Sequence, residues 1–275
     1  MIKRLKVFSA LVIIITFILC IGCTEPSNHE TDKTPKEVEL PNLTGLSRQN
    51  IAKELDKLNI KYSFKFASVV CNNQYDYDKF VKYENGLEVG SKIKTDEVIY
   101  IYTTPLHLNI DIKDKVKLTT DYKGKSFVDD GIGEVTLAKN VDGDTAYFYD
   151  HNSKTETGQI RVRFLGIDTP ESTYTIDPWG KAASKFTANI LNNARTIVLE
   201  AEGARKETYG RYLAWVWVDG NLLNLQIVAE AYSNSTISSS SKYFKAMVET
   251  SMLARSTGRR FYGEIDPNYN YTTKK

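Results

Sequence analysis

Cysteine and histidine are scarce in this chain of 275 residues, with three of each. Two cysteines lie near the start, at Cys20 and Cys23, and Cys71 stands alone, so a framework of intrachain disulfides is excluded. The three histidines are His29, His107 and His151. Because they form no close cluster in the sequence, a zinc site built on histidine is not expected.

A large excess of positive charge is also missing, since 36 Lys and Arg stand against 34 Asp and Glu. Removal of an N-terminal leader containing Lys3, Arg4 and Lys6 takes the net charge from +2 to −1. Residues 127–275 alone carry 17 basic and 18 acidic side chains. A polyanion must therefore be held at a local basic site, and we expect its binding to weaken markedly at moderate salt.

Long apolar runs are confined to the start of the chain, where residues 7–21 follow a basic segment. Gly22-Cys23 ends this run and polar sequence follows at once, which is typical of an export signal. The arrangement resembles a bacterial lipoprotein signal and implies that residues 1–22 are removed, that Cys23 is lipidated, and that residues 23–37 form a tether. The alternative is a retained signal anchor of 15 apolar residues, although a membrane-spanning helix needs about 20.

Residues 38–104 have the pattern of a small α/β module. Ser47 is a good helix N-cap, Ile51 and Leu55 share one apolar helical face, and alternating apolar residues predict strands at 62–66 and 98–102. The opening Pro41-Asn42-Leu43-Thr44-Gly45-Leu46-Ser47 and the turn around Gly90-Ser91 resemble a PASTA domain. The resemblance implies a cell-surface module that acts either as a spacer or as a binder of peptidoglycan. Together with the lipoprotein signal, it predicts an extracytoplasmic protein that is lipid-anchored to the outer face of the membrane of a Gram-positive bacterium.

Residues 105–127 are polar and lysine-rich, and they are predicted to be a connector or an edge strand. The remainder, 128–264, predicts five short strands and three helices, which favours a small barrel of the OB type capped by helices, followed by a tail at 265–275. The predicted strands are 133–139, 145–149, 159–165, 196–199 and 211–218, and the helices lie near 182–191, 222–231 and 241–256. Trp215 and Trp217 alternate within one strand and are expected in the core.

Three short motifs within this barrel each have an ordinary structural explanation when taken alone. Asp142-Gly143-Asp144-Thr145 is a hairpin signal, Arg161 and Arg163 lie on one face of a strand, and Asp168-Thr169-Pro170-Glu171 is a turn. Together with Tyr209-Gly210-Arg211, however, their order and spacing over residues 131–264 resemble the thermonuclease (staphylococcal nuclease-like) family. The overall fold class is therefore α+β and multi-domain, a PASTA module followed by a five-stranded OB-fold barrel.

The resemblance implies a hydrolase that cleaves the phosphodiester bonds of DNA and RNA, preferably single-stranded, to 3′-phosphate products. Phosphodiester hydrolysis needs an activated water, a hard cation and positive groups around phosphate, and the motifs contain these residue types. The implied roles are Ca²⁺ ligands for Asp144, Asp168 and the Thr169 carbonyl, the general base for Glu171, a phosphate clamp for Arg163 and Arg211, and contact with a terminal phosphate for Tyr209.

Two other interpretations stay open from sequence alone. The first is a catalytically silent surface module, because barrels of this class bind oligonucleotides without chemistry. The second is a wall-binding structural lipoprotein whose barrel is vestigial. The presence of Glu171 together with both carboxylates and both arginines favours the enzyme, and we expect it to be a monomer.

Overall fold

The computed structural model describes residues 35–155 and 158–272. The predicted signal peptide, Cys23 and the tether up to residue 34 lie outside the described residues. Both modules belong to one structural unit that begins at Pro35.

The first module, residues 36–104, consists of one α-helix, a short 3₁₀ helix (Gln74–Asp76) and two small sheets. Its elements are β1 (Glu37–Glu39), α1 (Arg48–Lys57), β2 (Lys61–Phe66), β3 (Phe80–Tyr83), β4 (Lys92–Lys94) and β5 (Val98–Thr103). β5 lies between β2, which is parallel to it, and β3, which is antiparallel, while β1 pairs with β4. Ser47 caps α1 by accepting from the Asn50 N–H, as predicted, and Ile51 and Leu55 are fully buried against the sheet.

The connector contains neither helix nor strand from residue 104 to residue 126, so the predicted edge strand does not form. It packs against the second module instead of spanning open solvent. Ile110 is buried with Ala229 and Ala254, and Leu118 and Tyr122 pack against the barrel core. Packing against the second module therefore accounts for the apolar side chains of Ile110, Leu118 and Tyr122 without a strand.

The second module is a closed barrel of five strands, which confirms the predicted barrel. The elements are α2 (Phe127–Asp130), β6 (Ile132–Asn140), β7 (Thr145–Tyr149), β8 (Gln159–Phe164), β9 (Ile167–Asp168), α3 (Gly180–Asn192), β10 (Ile197–Glu200), β11 (Tyr212–Val218), β12 (Asn221–Leu222), α4 (Leu223–Ala229), β13 (Asn234–Ser235) and α5 (Phe244–Ser256). β6, β7 and β8 pair in sequence, β8 runs parallel to β11, and β10 closes the barrel by pairing with both β11 and β6.

The core tryptophans and the main helices of the second module agree with the prediction. Side chains alternate along β11, and both tryptophans predicted in the core, Trp215 and Trp217, are 1% exposed. The three predicted helices are present as α3, α4 and α5, and α2 adds a single turn that sequence reasoning did not predict. Across the described ranges, no helix has the length and apolarity that a membrane span requires.

Candidate active site

The site forms where the β6–β7 turn, β8 and the β9 segment meet at one edge of the barrel. Pairing of β7 with β8 places Thr145 opposite Arg163, and the Phe164 N–H donates to the Asp144 carbonyl at 2.8 Å. Asp168 ends β9, which pairs with β13 through Asn234. Local alternation therefore points Arg163 towards two carboxylates that come from different turns.

Arg163 joins the two carboxylates among the predicted metal ligands, Asp144 and Asp168. Its guanidinium donates one N–H to Asp144 Oδ1 and another to Asp168 Oδ1, and it also donates to the Ile167 carbonyl at 3.2 Å. The Asp168 side chain is 67% exposed, whereas that of Arg163 is 19% exposed. The arginine thus bridges a buried carboxylate and a solvent-facing one.

Asp144 is fully buried and its oxygens have several donors besides Arg163. Asp144 Oδ2 accepts from the Thr169 N–H at 2.8 Å and from Thr169 Oγ1 at 3.1 Å, and Oδ1 accepts from Thr145 Oγ1 at 3.0 Å. Burial raises the pKa of the Asp144 carboxyl to about 6, although the Arg163 charge opposes the rise. Gly143 makes the close packing possible, since a Cβ there would lie 2.6 Å from Thr169 Oγ1.

Glu171 is exposed and lies in the loop between β9 and α3. Its carbonyl accepts from the Asp177 N–H at 2.9 Å, and Gly180 approaches the same carbonyl so closely that a Cβ would overlap it. Burial is the main cause that raises the pKa of Asp142, and the negative charge of Glu171 adds to it. Glu171 therefore belongs to the same electrostatic cluster as the β6–β7 turn.

Arg211 lies within electrostatic range of this cluster, but its guanidinium is engaged elsewhere. Nε donates to Glu207 Oε1, and one terminal N–H donates to Glu207 Oε2 at 3.0 Å. The hydrogen bond to Glu207 raises the pKa of Arg211, and the charges of Asp144 and Asp142 raise it further. Glu207 was not predicted; its position four residues before Arg211, across a Tyr-Gly turn, is the signal that could have found it.

Tyr209 occupies the tip of the turn between Glu207 and Arg211. The Gly210 N–H donates to the Glu207 carbonyl at 2.9 Å, which closes the turn, and Tyr209 is 86% exposed. The structure does not bring its ring into contact with the Asp144–Arg163 cluster. Its predicted contact with a terminal phosphate stays a prediction.

The oxygen groups around Arg163 fit a hard cation in type. Asp144 and Asp168 turn one oxygen each towards the same positively charged group, and carboxylate oxygens are ligands that Ca²⁺ prefers. In the part of the chain that the structure describes, no cluster of three or more His, Cys, Asp or Glu side chains could hold a metal. A backbone carbonyl such as that of Thr169, and water, would have to supply the other ligands.

Comparison with known proteins identifies the family. The family model described as "Staphylococcal nuclease homologue" matches residues 161–262, a range that contains Arg163, Asp168, Glu171 and Arg211. The thermonuclease of Staphylococcus intermedius is 32% identical over 136 residues, which are 48% of this chain and 73% of that protein. The chain belongs to the staphylococcal nuclease family.

Two further relatives match this chain over shorter regions. Endonuclease YncB of Bacillus subtilis is 35% identical over 99 residues, 35% of this chain and 44% of that protein. The thermonuclease of Staphylococcus hyicus is 35% identical over 98 residues, 34% of this chain and 54% of that protein. The family resemblance predicted from the motifs, and with it the enzyme class of nuclease hydrolase, is confirmed.

Proposed function

We propose that this nuclease is a calcium-dependent phosphodiesterase that cleaves DNA and RNA, preferably single-stranded, and leaves 3′-phosphate products. The observation that carries the proposal is the convergence of Asp144, Asp168 and Arg163, from three separate segments, with the exposed Glu171 close enough for its charge to act on Asp142 in the same turn as Asp144. Carboxylates, a planar cation and a free base are the groups that hydrolysis of a phosphodiester requires.

Glu171 is the proposed general base. Its side chain is exposed, so it can accept a proton from a water that attacks phosphorus, while its backbone is held by Asp177 and by the close approach of Gly180. A base on a loop that is fixed in this way keeps its carboxylate near one position, which favours the attack geometry.

Arg163 and Arg211 are the proposed phosphate clamp, and both must exchange partners to act. Arg163 donates to Asp144 and Asp168, and Arg211 donates through two nitrogens to Glu207. A phosphate offers oxygens at a spacing that suits the same planar forks. Substrate binding therefore replaces carboxylate oxygens with phosphate oxygens, and part of the binding free energy is spent on breaking these ion pairs.

Asp144, Asp168 and the Thr169 carbonyl are the proposed calcium ligands. Bound there, the ion would neutralise charge that develops on the phosphate oxygens. Because the Asp144 pKa is raised to about 6, protons compete for this ligand when the pH falls below that value.

Surface attachment and the PASTA assignment belong to the same proposal. Lipid on Cys23 would hold the enzyme at the outer face of the membrane, and residues 23–37 would lead to the first module. One helix packed on a three-stranded sheet supports a PASTA-like module. A pull-down with purified cell wall tests whether that module binds peptidoglycan, and radiolabelled palmitate incorporation in native and Cys23→Ala proteins tests the anchor.

The activity is tested by cleavage of a single-stranded DNA oligonucleotide by the purified protein from residue 24 onward at low salt. We expect calcium-dependent release of 3′-phosphate products that stops with excess chelator. Arg211→Ala should lower turnover with little change in melting temperature. A folded protein that binds the oligonucleotide but does not cut it under calcium would favour the silent binding module instead.

A further inference from the structure

The first module packs directly against the C-terminal segment of the nuclease module. The Ile265 N–H donates to the Val69 carbonyl at 3.1 Å, and in the adjoining connector the Leu106 N–H donates to the Thr257 carbonyl at 2.7 Å. The Phe66 ring covers Gly258 so closely that a Cβ there would lie between 2.5 and 2.8 Å from three ring carbons. Backbone hydrogen bonds and ring packing of this kind describe a formed interface rather than a flexible link.

Glu264 is the centre of this interface. It is 5% exposed, and its two carboxylate oxygens have different partners: Oε1 accepts from the Tyr77 hydroxyl at 2.8 Å, and Oε2 accepts from the Arg260 N–H at 2.8 Å. Burial, together with the hydrogen bond to Glu264, raises the pKa of Tyr77, so its hydroxyl remains a donor. A buried carboxylate is costly unless its oxygens accept hydrogen bonds, so Tyr77 is needed for the arrangement.

The same segment holds Trp179, the residue that precedes α3. Trp179 Nε1 donates to the Glu264 carbonyl at 2.9 Å, and its backbone N–H donates to Asp266 Oδ2 at 2.7 Å. Trp179 has φ +67°, a left-handed conformation that a tryptophan rarely adopts. Such backbone strain persists only where surrounding contacts determine it, and here those contacts come from residues 264 and 266.

Trp179 in turn borders the loop that carries the proposed base. The next residue, Gly180, begins α3 in contact with the Glu171 carbonyl, and no side chain fits between them. In addition, a cavity of about 690 Å³ is lined by Ser68 of the first module together with Asp168 and Glu171. The first module thus reaches the edge of the candidate active site.

We infer that the first module positions the Glu171 loop through Glu264 and Trp179, and that it is a working part of the nuclease as well as a surface spacer. The inference rests on the proposed role of Glu171. Tyr77 and Glu264 are positioning residues, because they act on the base through Trp179 and the start of α3.

Tyr77→Phe in the full-length protein tests the inference, because it removes only the hydroxyl that binds Glu264. The matched control is Tyr102→Phe, which removes a tyrosine hydroxyl that donates to Glu84 at 3.1 Å within the same module. We expect Tyr77→Phe to lower kcat on single-stranded DNA about fivefold with KM unchanged, since a misplaced base weakens the transition state more than binding. Tyr102→Phe should leave both parameters at the native values.

Acrylamide quenching of tryptophan fluorescence gives a second readout that needs no activity. The chain has three tryptophans, and Trp215 and Trp217 are 1% exposed, so quenching reports mainly on Trp179. Tyr77→Phe should increase the quenching constant, and Tyr102→Phe should not. Equal kcat and equal quenching in the two variants would overturn the inference. If native protein cuts no substrate, the proposed function fails, while the quenching result still decides whether the first module holds Trp179.

Discussion

The ion pair between Glu207 and Arg211 should weaken substrate binding, and Glu207→Gln should therefore lower KM. In the structure the Glu207 carboxylate accepts hydrogen bonds from two nitrogens of the Arg211 guanidinium. A phosphate must therefore displace Glu207 to bind the same two nitrogens. Glutamine keeps nearly the same shape and one oxygen acceptor, but it carries no negative charge. The change thus reduces competition for Arg211 without leaving the guanidinium uncovered.

The size of the effect follows from the burial of the pair. Both side chains are 22% exposed, which is less than in a fully solvated surface pair. Exposed ion pairs contribute about 0–1 kcal/mol, and hydrogen bonds to charged groups contribute about 1.5–3 kcal/mol. We take the charge of Glu207 to oppose phosphate binding at Arg211 by about 1–1.4 kcal/mol. Removing that charge corresponds to a KM lower by roughly fivefold to tenfold. The hydrogen bond to Arg211 also lowers the pKa of Glu207, so the carboxylate stays ionised at neutral pH.

The assay is the initial rate of cleavage of a single-stranded oligonucleotide, over a range of substrate concentrations, at low and at moderate salt. Glu249→Gln is the matched control, because Glu249 also forms an ion pair with a basic side chain four residues away, that of Lys245, at 4.0 Å. The Glu249→Gln variant loses the same charge from an exposed helix and frees no proposed phosphate ligand, so its KM should differ from the native value by less than about twofold. An equal KM in the Glu207 and Glu249 variants would refute the reasoning, because net charge alone would then explain the change.

Three further predictions concern the base, the buried carboxylate and the start of α3. Glu171→Gln should lower turnover by about two orders of magnitude, since a general base is lost, and leave the melting temperature unchanged because the side chain is exposed. The pKa of the Asp144 carboxyl rises from 3.8 to about 6 on folding. Protonation of this carboxyl therefore stabilises the folded state; the stabilisation is complete below pH 3.8 and is lost as the pH rises through 6. In excess chelator, the free energy of unfolding of Asp144→Asn minus that of the native protein, measured with urea, should therefore increase by about 2 kcal/mol from pH 4 to pH 8. If this difference is the same at both pH values, burial is not the cause of the raised pKa. Gly180→Ala should lower both the melting temperature and turnover, because the added Cβ would overlap the Glu171 carbonyl. Elsewhere in a helix, replacing glycine by alanine stabilises the protein by about 0.5–1 kcal/mol. Lys181→Ala, at the exposed neighbouring position, should lower neither quantity.

The barrel strands could be predicted because their signal is local. The alternation of apolar residues gave 145–149 for β7, which matches the structure, and 133–139 for β6, which extends one residue further at each end. Local patterns did not give the correct start of the last helix. It was predicted from residue 241 but begins at Phe244, because Ser241 Oγ and the Lys242 N–H donate to Glu202 instead of entering the helix.

The candidate site residues could be proposed from the sequence, but the partners that the structure gives them could not. The resemblance of the combined motifs to the thermonuclease family singled out Asp144, Arg163, Asp168, Glu171 and Arg211, although each motif alone has an ordinary structural explanation. Nothing local indicates that one arginine bridges two carboxylates, or that Glu207 holds the other arginine. Those pairs depend on which strands lie side by side and on which loops share an edge.

The sequence by itself determined the five barrel strands and three main helices of the second module, the family motifs and the weak net charge, because each of these depends on residue type and short spacing. Only the tertiary structure decided the burial that raises the Asp144 pKa and the contact between Tyr77 and Glu264, which are 187 positions apart. Burial and long-range hydrogen bonds arise when distant segments pack together, and residue spacing along the chain carries no record of that packing.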